Sequence, residues 1–428
     1  MFKTTFYELK SFFILWITQS FSSLGSAMTN FALIIWLYQK SGSALTTSML
    51  SICSYAPYVL MSIFAGAFSD RWNKKATMLL SDSLAAVCTI VVFILLKTEN
   101  LEVWHLFIIN ALNGLMNTVQ QPASDVAITL LTPKKYYQKI SGMRSFSNSL
   151  VTILTPVLAT TVLSFSSIET VIVIDLLTFS LAFLSLLLFI KIPEISDKKI
   201  NKDSFLSSVK SGLMYLKVNS GIFWLILFLA SINLIASIYD SALPAMILSR
   251  ENGGKTVLGI VNTCVGIATL AGSIIITFIP KPKSRVKVIC NTLLFSMSTE
   301  NFLLAFGKSP IIWCIGAVLG WVCIPIMSAN MDVIFRTKIP VEMQGRVYSV
   351  RNTLQFFTIP IGYFLGGILV DKIFEPFMKH ISSDNLITLL FGEGKGSGAA
   401  MLFFVIGIAG VIVCLIFRKN KNIYNVEK

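Results

Sequence analysis

The chain has 428 residues, of which 54% are hydrophobic and 13% charged, and its 35 Lys and Arg outnumber 21 Asp and Glu to leave a net charge of +14. Soluble domains carry about 25% charge, so these totals exclude an ordinary soluble globule. The basic residues gather in short turns between apolar runs, which makes anionic lipid head groups, not nucleic acid, the expected counter-charge. Seven Cys form no CxxC pair and read as small buried hydrophobes. His105 and His380 stand far apart, and no HExxH, GxxxxGK[ST] or GxSxG occurs in a context that would give it meaning. No metal, cofactor or enzymatic activity is therefore expected.

A helix needs about 20 apolar residues to cross the hydrocarbon core. The first run, from Ser11 to about Tyr38, is too long for a signal h-region and reads as a first span. In chain order the pattern predicts spans over 11–38, 44–68, 76–96, 103–128, 142–165, 168–190, 221–248, 256–279, 288–306, 309–335, 346–370 and 398–417. Runs this long and uniformly apolar do not read as barrel strands. The expected fold class is an all-α membrane protein of twelve transmembrane helices in two six-helix pseudo-repeats. Alternate turns hold 27 of the 35 Lys and Arg. That bias predicts a multi-pass protein of the plasma or inner membrane with both termini cytoplasmic.

The longest polar stretch on that basic side is 191–220, which divides an N-terminal half, 1–190, from a C-terminal half, 221–428. Within it, 204–217 has the pattern of an interfacial helix, with Phe205, Val209 and Leu213 on one face. The halves echo each other: Asn148-Ser-Leu followed by Pro156 recurs as Asn352-Thr-Leu followed by Pro360, as a duplicated transporter half would. The last external loop, 371–397, contains Gly392, Gly394 and Gly396. These predict flexibility; a partial lid and simple slack both fit.

An acid at mid-membrane costs about 2.5–3.5 kcal/mol on insertion scales, so the acids inside spans are the candidate proton-coupling or substrate groups. They are Asp240, Glu300, Asp175 and Asp82. Asp240 is the first choice, because it follows Tyr239 and precedes by four residues Pro244, which loosens the helix there. Pairing with a base and a place at the outer interface are the alternatives for it. Asn113, Asn117, Gln121 and Asp125 recur every four residues in the fourth span and are expected to line a cavity on one helix face; hydrogen bonding between helices is the alternative. Gln19 and Asn30 in the first span, Asn233 in the seventh and Asn330 in the tenth are candidates of the same kind. Trp36, Tyr58, Phe228, Tyr239 and Phe356 would suit a bulky apolar or cationic solute by stacking and cation–π attraction.

The turn Gly66-x-x-x-Asp70-Arg71-x-x-Lys74-Lys75 between the second and third spans resembles the signature turn of the major facilitator superfamily. The stretch from Pro340 through Glu342, Gly345, Arg346, Val347 and Ser349 resembles the PxExxGRVxS turn of the branch that contains macrolide-efflux and related drug exporters, and Gln121-Pro122-Ala123 fits that branch. The resemblance implies the major facilitator fold. It also implies a cytoplasmic gate, carried here by Gly66, Asp70, Arg71, Lys74, Lys75, Gly345 and Arg346. Asn73 replaces a family Gly and would tolerate the same left-handed backbone. The second copy, Pro280 to Arg285, lacks the acid and the Gly, so the gate should be asymmetric. In the fifth span Thr155-Pro156 keeps only the Pro of the family's antiporter motif, and the first span lacks the acid that drug exporters of the family often carry there. The function so implied is secondary active efflux of a bulky lipophilic compound, such as a macrolide or other drug, with proton coupling by alternating access. Its partners would be a small-molecule substrate, protons and the bilayer, and it would act as a monomer. An uptake permease or a lipid flippase of the same fold is the alternative.

Overall fold

The computed structural model describes residues 8–71, 73–133, 136–193, 205–382 and 385–427; within them the side chains at 62–71, 137–139, 141, 205–209, 341, 342, 344–346 and 349 lie outside the description. The structure is 87% helix, with no strand among the described residues. Twelve apolar runs were expected, and among the described residues eleven helical segments are long and apolar enough to cross a membrane. The fourth run does form a helix, Val103–Leu130, but its row of Asn and Gln side chains keeps it out of that set.

Packing divides the chain into two compact units: Met1–Ile34 with Cys53–Lys202, and Ile35–Ile52 with Asp203–Lys428. The first two helices, α1 (Lys10–Ser41) and α2 (Ala44–Arg71), contribute to both. The first unit is completed by α3 (Lys74–Lys97), α4 (Val103–Leu130), α5 (Tyr137–Phe165) and α6 (Ile168–Phe189). Its core joins α1, α3, α4 and α6 through Leu15, Met78, Ala123, Ala127, Leu186 and Ile190. Close approach between α2 and α4 depends on Gly114, where a Cβ would stand 2.0 Å from the Ser54 carbonyl oxygen, the small-residue contact that lets membrane helices meet.

The second unit opens with a short helix, α7 (Phe205–Val218), followed by α8 (Ser220–Ser249), α9 (Lys255–Phe278) and α10 (Arg285–Phe306). The next span is broken into α11 (Pro310–Trp321) and α12 (Ile324–Lys338), with Pro325 in the first turn of the second piece. A Pro at that position sacrifices no intrahelical bond. The following span is α13 (Val341–Phe356) and α14 (Thr358–Ile368), continued by a π-helical turn at Leu369–Phe374 and α15 (Glu375–Lys379). A short α16 (Leu386–Phe391) and a final span α17 (Ser397–Lys419) complete it. The unit is held by α10 on α17, α8 on α14 and α17, and α11 on α9 and α10.

Polarity is inverted relative to a soluble protein. Leu177, Leu181, Leu184 and Leu188 form an exposed stripe down α6, while Asp175 on the same helix is only 4% exposed. Exposed leucine at helical spacing beside a buried acid is the signature of a helix with lipid outside and a polar interior.

Candidate functional site

The acids within the spans fall into two sites, one in each unit. In the first unit, Asp82 on α3 is held between two amides: Gln19 of α1 donates to its Oδ2 at 3.3 Å and Gln120 of α4 donates to its Oδ1. Asp175 on α6 accepts from the Ser26 hydroxyl of α1 at 3.0 Å. Both carboxylates line a cavity of about 210 Å³ walled by α1, α3, α4 and α6. Gly25 makes the α1–α6 approach possible, since a Cβ there would lie 2.9 Å from the Asp175 Cα.

The four polar positions expected to line a cavity from α4 separate. Asn113 and Asn117 do line it, together with Gln19 and Asn30 of α1. Gln121 lines an adjoining hollow of about 240 Å³, beside Arg144 and Asn148. Asp125 forms an ion pair with Arg144 at 2.5 Å, with side chains 47% and 35% exposed respectively. A pair that open is worth under about 1 kcal/mol. The residues on the inward face of α4 are Asn110, Asn113, Asn117 and Gln120. Their steps of three, four and three keep them within one face, whereas strict steps of four drift by about 40° each on a helix of 3.6 residues per turn. Asn110 and Gln120 were missed by that strict spacing. The hollows share Gln19, Ser23, Asn117 and Gln120 as common walls.

In the second unit, Asp240 on α8 is exposed, and the Tyr363 hydroxyl of α14 donates to its Oδ2 at 3.3 Å. Glu300 on α10 is 5% exposed and accepts from the Trp321 indole nitrogen at 2.8 Å. Gly320 clears the space, because a Cβ there would come within 2.2 Å of Glu300 Oε2. The Tyr239 hydroxyl faces the same carboxylate, buried and outside hydrogen-bond geometry. Asp240, Glu300 and three aromatic side chains thus make an acid–aromatic cluster. Tyr363 and Trp321 gave no sequence signal beyond their aromaticity, since their acids lie on other helices.

The remaining expected residues go elsewhere. Asn233 donates to the Gln355 carbonyl at 3.0 Å, tying α8 to α13. Asn330 donates to the Ile326 carbonyl and accepts from Arg285 at 2.9 Å, joining α12 to the start of α10. Of the expected gate, the side chains of Gly66, Asp70, Arg71, Gly345 and Arg346 lie outside the described residues. Lys74 opens α3, and Lys75 donates to the Leu187 and Ile190 carbonyls at 2.9 and 2.7 Å, closing the C-terminus of α6. That placement satisfies helix-end carbonyls with a cation. Asn73 does not take up a left-handed backbone: at φ −63° and ψ 119° it is extended and caps α3 by accepting from Ala76 N at 3.0 Å. An Asn side chain at that position gains a cap bond that Gly lacks.

Beyond α14 in the second unit, Asp371 in the π-helical turn accepts from Ser43 Oγ at 2.6 Å, Ala44 N at 3.0 Å and Leu45 N at 2.9 Å. It caps the start of α2. The loop beyond it is pinned rather than slack. Arg250 donates to the Phe391 carbonyl at 2.5 Å, and Glu375 accepts from Gly396 N at 3.0 Å and Ala399 N at 3.1 Å. The Gly residues serve positive φ, +82° at Gly392, +74° at Gly394 and +94° at Gly396. Burial lowers the pKa of the Arg250 guanidinium, and the Glu375 charge acts against that.

Acids buried in membrane helices, held by neutral donors in both units, belong to a transporter architecture, and residues 15–363 match the Major Facilitator Superfamily. The chain belongs to that superfamily. It is similar to macrolide efflux protein A of Streptococcus pyogenes, 25% identical over 366 residues that cover 85% of this chain and 90% of the relative. It is also similar to the multidrug efflux pump Tap of Mycolicibacterium fortuitum, 21% identical over 364 residues, covering 81% and 86%. In fold it matches a bacterial homologue of the iron transporter ferroportin in an inward-facing state, with a TM-score of 0.71 and 15% identity, covering 96% of this chain and 99% of that one. This chain is therefore a multi-pass membrane transporter with efflux pumps among its relatives.

Proposed function

We propose that this major facilitator protein is a secondary active exporter in the cell membrane. It would carry a bulky lipophilic compound, of the macrolide or wider drug class, outward in exchange for protons. The two halves, 1–190 and 221–428, joined by 191–220, would rock about sites near mid-membrane, with both termini in the cytoplasm and the Asp70 turn as the cytoplasmic gate. The similarity to macrolide efflux protein A over nine-tenths of that protein's length carries the reading.

Asp240 is the proton acceptor in this reading. Its carboxylate is reachable by solvent from within a membrane helix, and Tyr363 meets it with a neutral hydroxyl. A carboxylate so placed gains from proton uptake when the path closes around it, and loses the proton when water returns. Glu300, covered by Trp321 and Gly320, is the more enclosed group and would support Asp240 as its neighbour.

The test is transport in inverted membrane vesicles loaded with a proton gradient. The Asp240→Asn variant should lose uphill export of a macrolide by tenfold or more while keeping downhill exchange of the same compound. Uphill export unchanged by the substitution would remove Asp240 from the mechanism.

A further inference from the structure

The short helix α7 ends the polar stretch that separates the two halves in sequence, yet it turns an apolar face outward. Lys210, Leu213, Met214, Lys217 and Val218 are all exposed. At 100° per residue these five positions fall within an arc of about 140°. The three apolar ones, Leu213, Met214 and Val218, stand 47%, 63% and 78% exposed. Gly212 and Leu216 occupy the opposite side and are buried, and α7 packs against α8 and α13. The exposed face shares Leu213 with the face expected from the sequence, whose Phe205 and Val209 side chains lie outside the described residues. A single exposed leucine needs no explanation, but a continuous apolar face on a helix outside the spans does.

Two contacts set the level of this helix. Asn219 alone separates it from the span α8. The Tyr215 hydroxyl donates at 2.8 Å to the carbonyl of Lys338, the last residue of α12, where another span ends. The helix therefore lies where two spans reach the same membrane surface. Its charge is of one sign: α7 holds no acid, and Lys210 and Lys217 form no ion pair among the described residues. Lysine stems lie along apolar surface while the ammonium rises to head-group level. We propose that this face of α7 is a docking site for anionic phospholipid. Leu213, Met214 and Val218 sit among the upper acyl chains, and Lys210 and Lys217 hold the head-group phosphates. A second copy of this chain fits the face less well, because an isologous contact would set these lysines against their own kind. The site needs only the membrane fold, and does not rest on Asp240 or on the exporter reading.

The experiment uses the full chain in nanodiscs of phosphatidylcholine that contain a minor share of phosphatidylglycerol, with bromine on the acyl chains of that share or of an equal share of phosphatidylcholine. Met214→Trp adds an indole within the face, and its emission is read as the difference from the parent protein. Brominated phosphatidylglycerol should quench that emission at least twofold more than brominated phosphatidylcholine. Lys210→Gln with Lys217→Gln should bring the two to equality. Val218→Trp repeats the reading from a second position, so that the outcome does not hang on one variant folding. Three outcomes overturn the proposal. Quenching by neither lipid would leave the face in water. Equal quenching by both, with the lysines present, would show apolar contact without a head-group site. A preference for phosphatidylglycerol undiminished in the lysine variant would place the site elsewhere. Emission that shifts with protein concentration in micelles would assign the face to a second copy and likewise overturn it. The readout is lipid contact alone, so it stands or falls separately from the transport assay.

Discussion

Glu300 and Trp321 show what one contact decides in a membrane interior. The indole donates at 2.8 Å to a carboxylate 5% exposed. Removing one partner of a buried bond leaves the other unsatisfied, at a cost of about 1–3 kcal/mol. Trp321→Phe should therefore lower the unfolding midpoint in micelles. Glu300→Gln made on top of it should cost less than the sum of the single changes, the non-additivity expected of residues in contact. Additive effects would show that the bond contributes nothing. The pairing was illegible in the sequence because its members sit on different helices, 21 residues apart across a helix end. Glu300 itself was legible, as an acid in an apolar run. Asn73 shows the opposite error: a family Gly suggested a left-handed backbone, but an Asn that can cap settles into an extended one.

At the scale of elements, most of what the residues announced was length. Apolar runs of membrane-crossing size became helices wherever they were expected, because a chain in lipid has few other ways to satisfy its backbone. Internal breaks were less visible. The tenth run divides at Trp321 and Ile324, and the eleventh passes through a π-helical turn at Leu369–Phe374. That turn carries Asp371, which sequence reading assigned to the flexible external loop. Its three bonds to Ser43, Ala44 and Leu45 satisfy the first donors of α2 and place a negative charge at a helix N-terminus. Gly42 at φ +61° ends α1 just before it. Asp371→Ala should destabilise the protein by about 1–3 kcal/mol, with Asp371→Asn intermediate because an amide keeps one acceptor oxygen. Thermal unfolding of the three proteins in one detergent checks the order; an alanine variant as stable as the parent would show that the cap is dispensable. The α4 face teaches a related point. The Asn and Gln pattern located the cavity wall, but a fixed step of four turned the eye toward Gln121 and Asp125 and away from Asn110 and Gln120.

For the whole molecule, composition and the basic turns were enough to indicate a membrane transporter, and the Gly66 to Lys75 turn to indicate its superfamily. What they could not place were the partners of each acid within the spans, since those arise only when helices distant in sequence pack together. Packing brings Asp82 to Gln19 and Gln120, and Asp240 to Tyr363. Both pairings use neutral donors, and the account of function depends on that neutrality: an acid paired with a fixed base would have no reason to take up and release a proton. The most direct measurement is uphill export of a fluorescent macrolide by inverted vesicles that carry this protein, followed before and after an uncoupler collapses the proton gradient, with no ATP present. The account predicts accumulation that starts with the gradient and drains away when it is dissipated. Accumulation that continues without the gradient, or appears only when ATP is supplied, would contradict it.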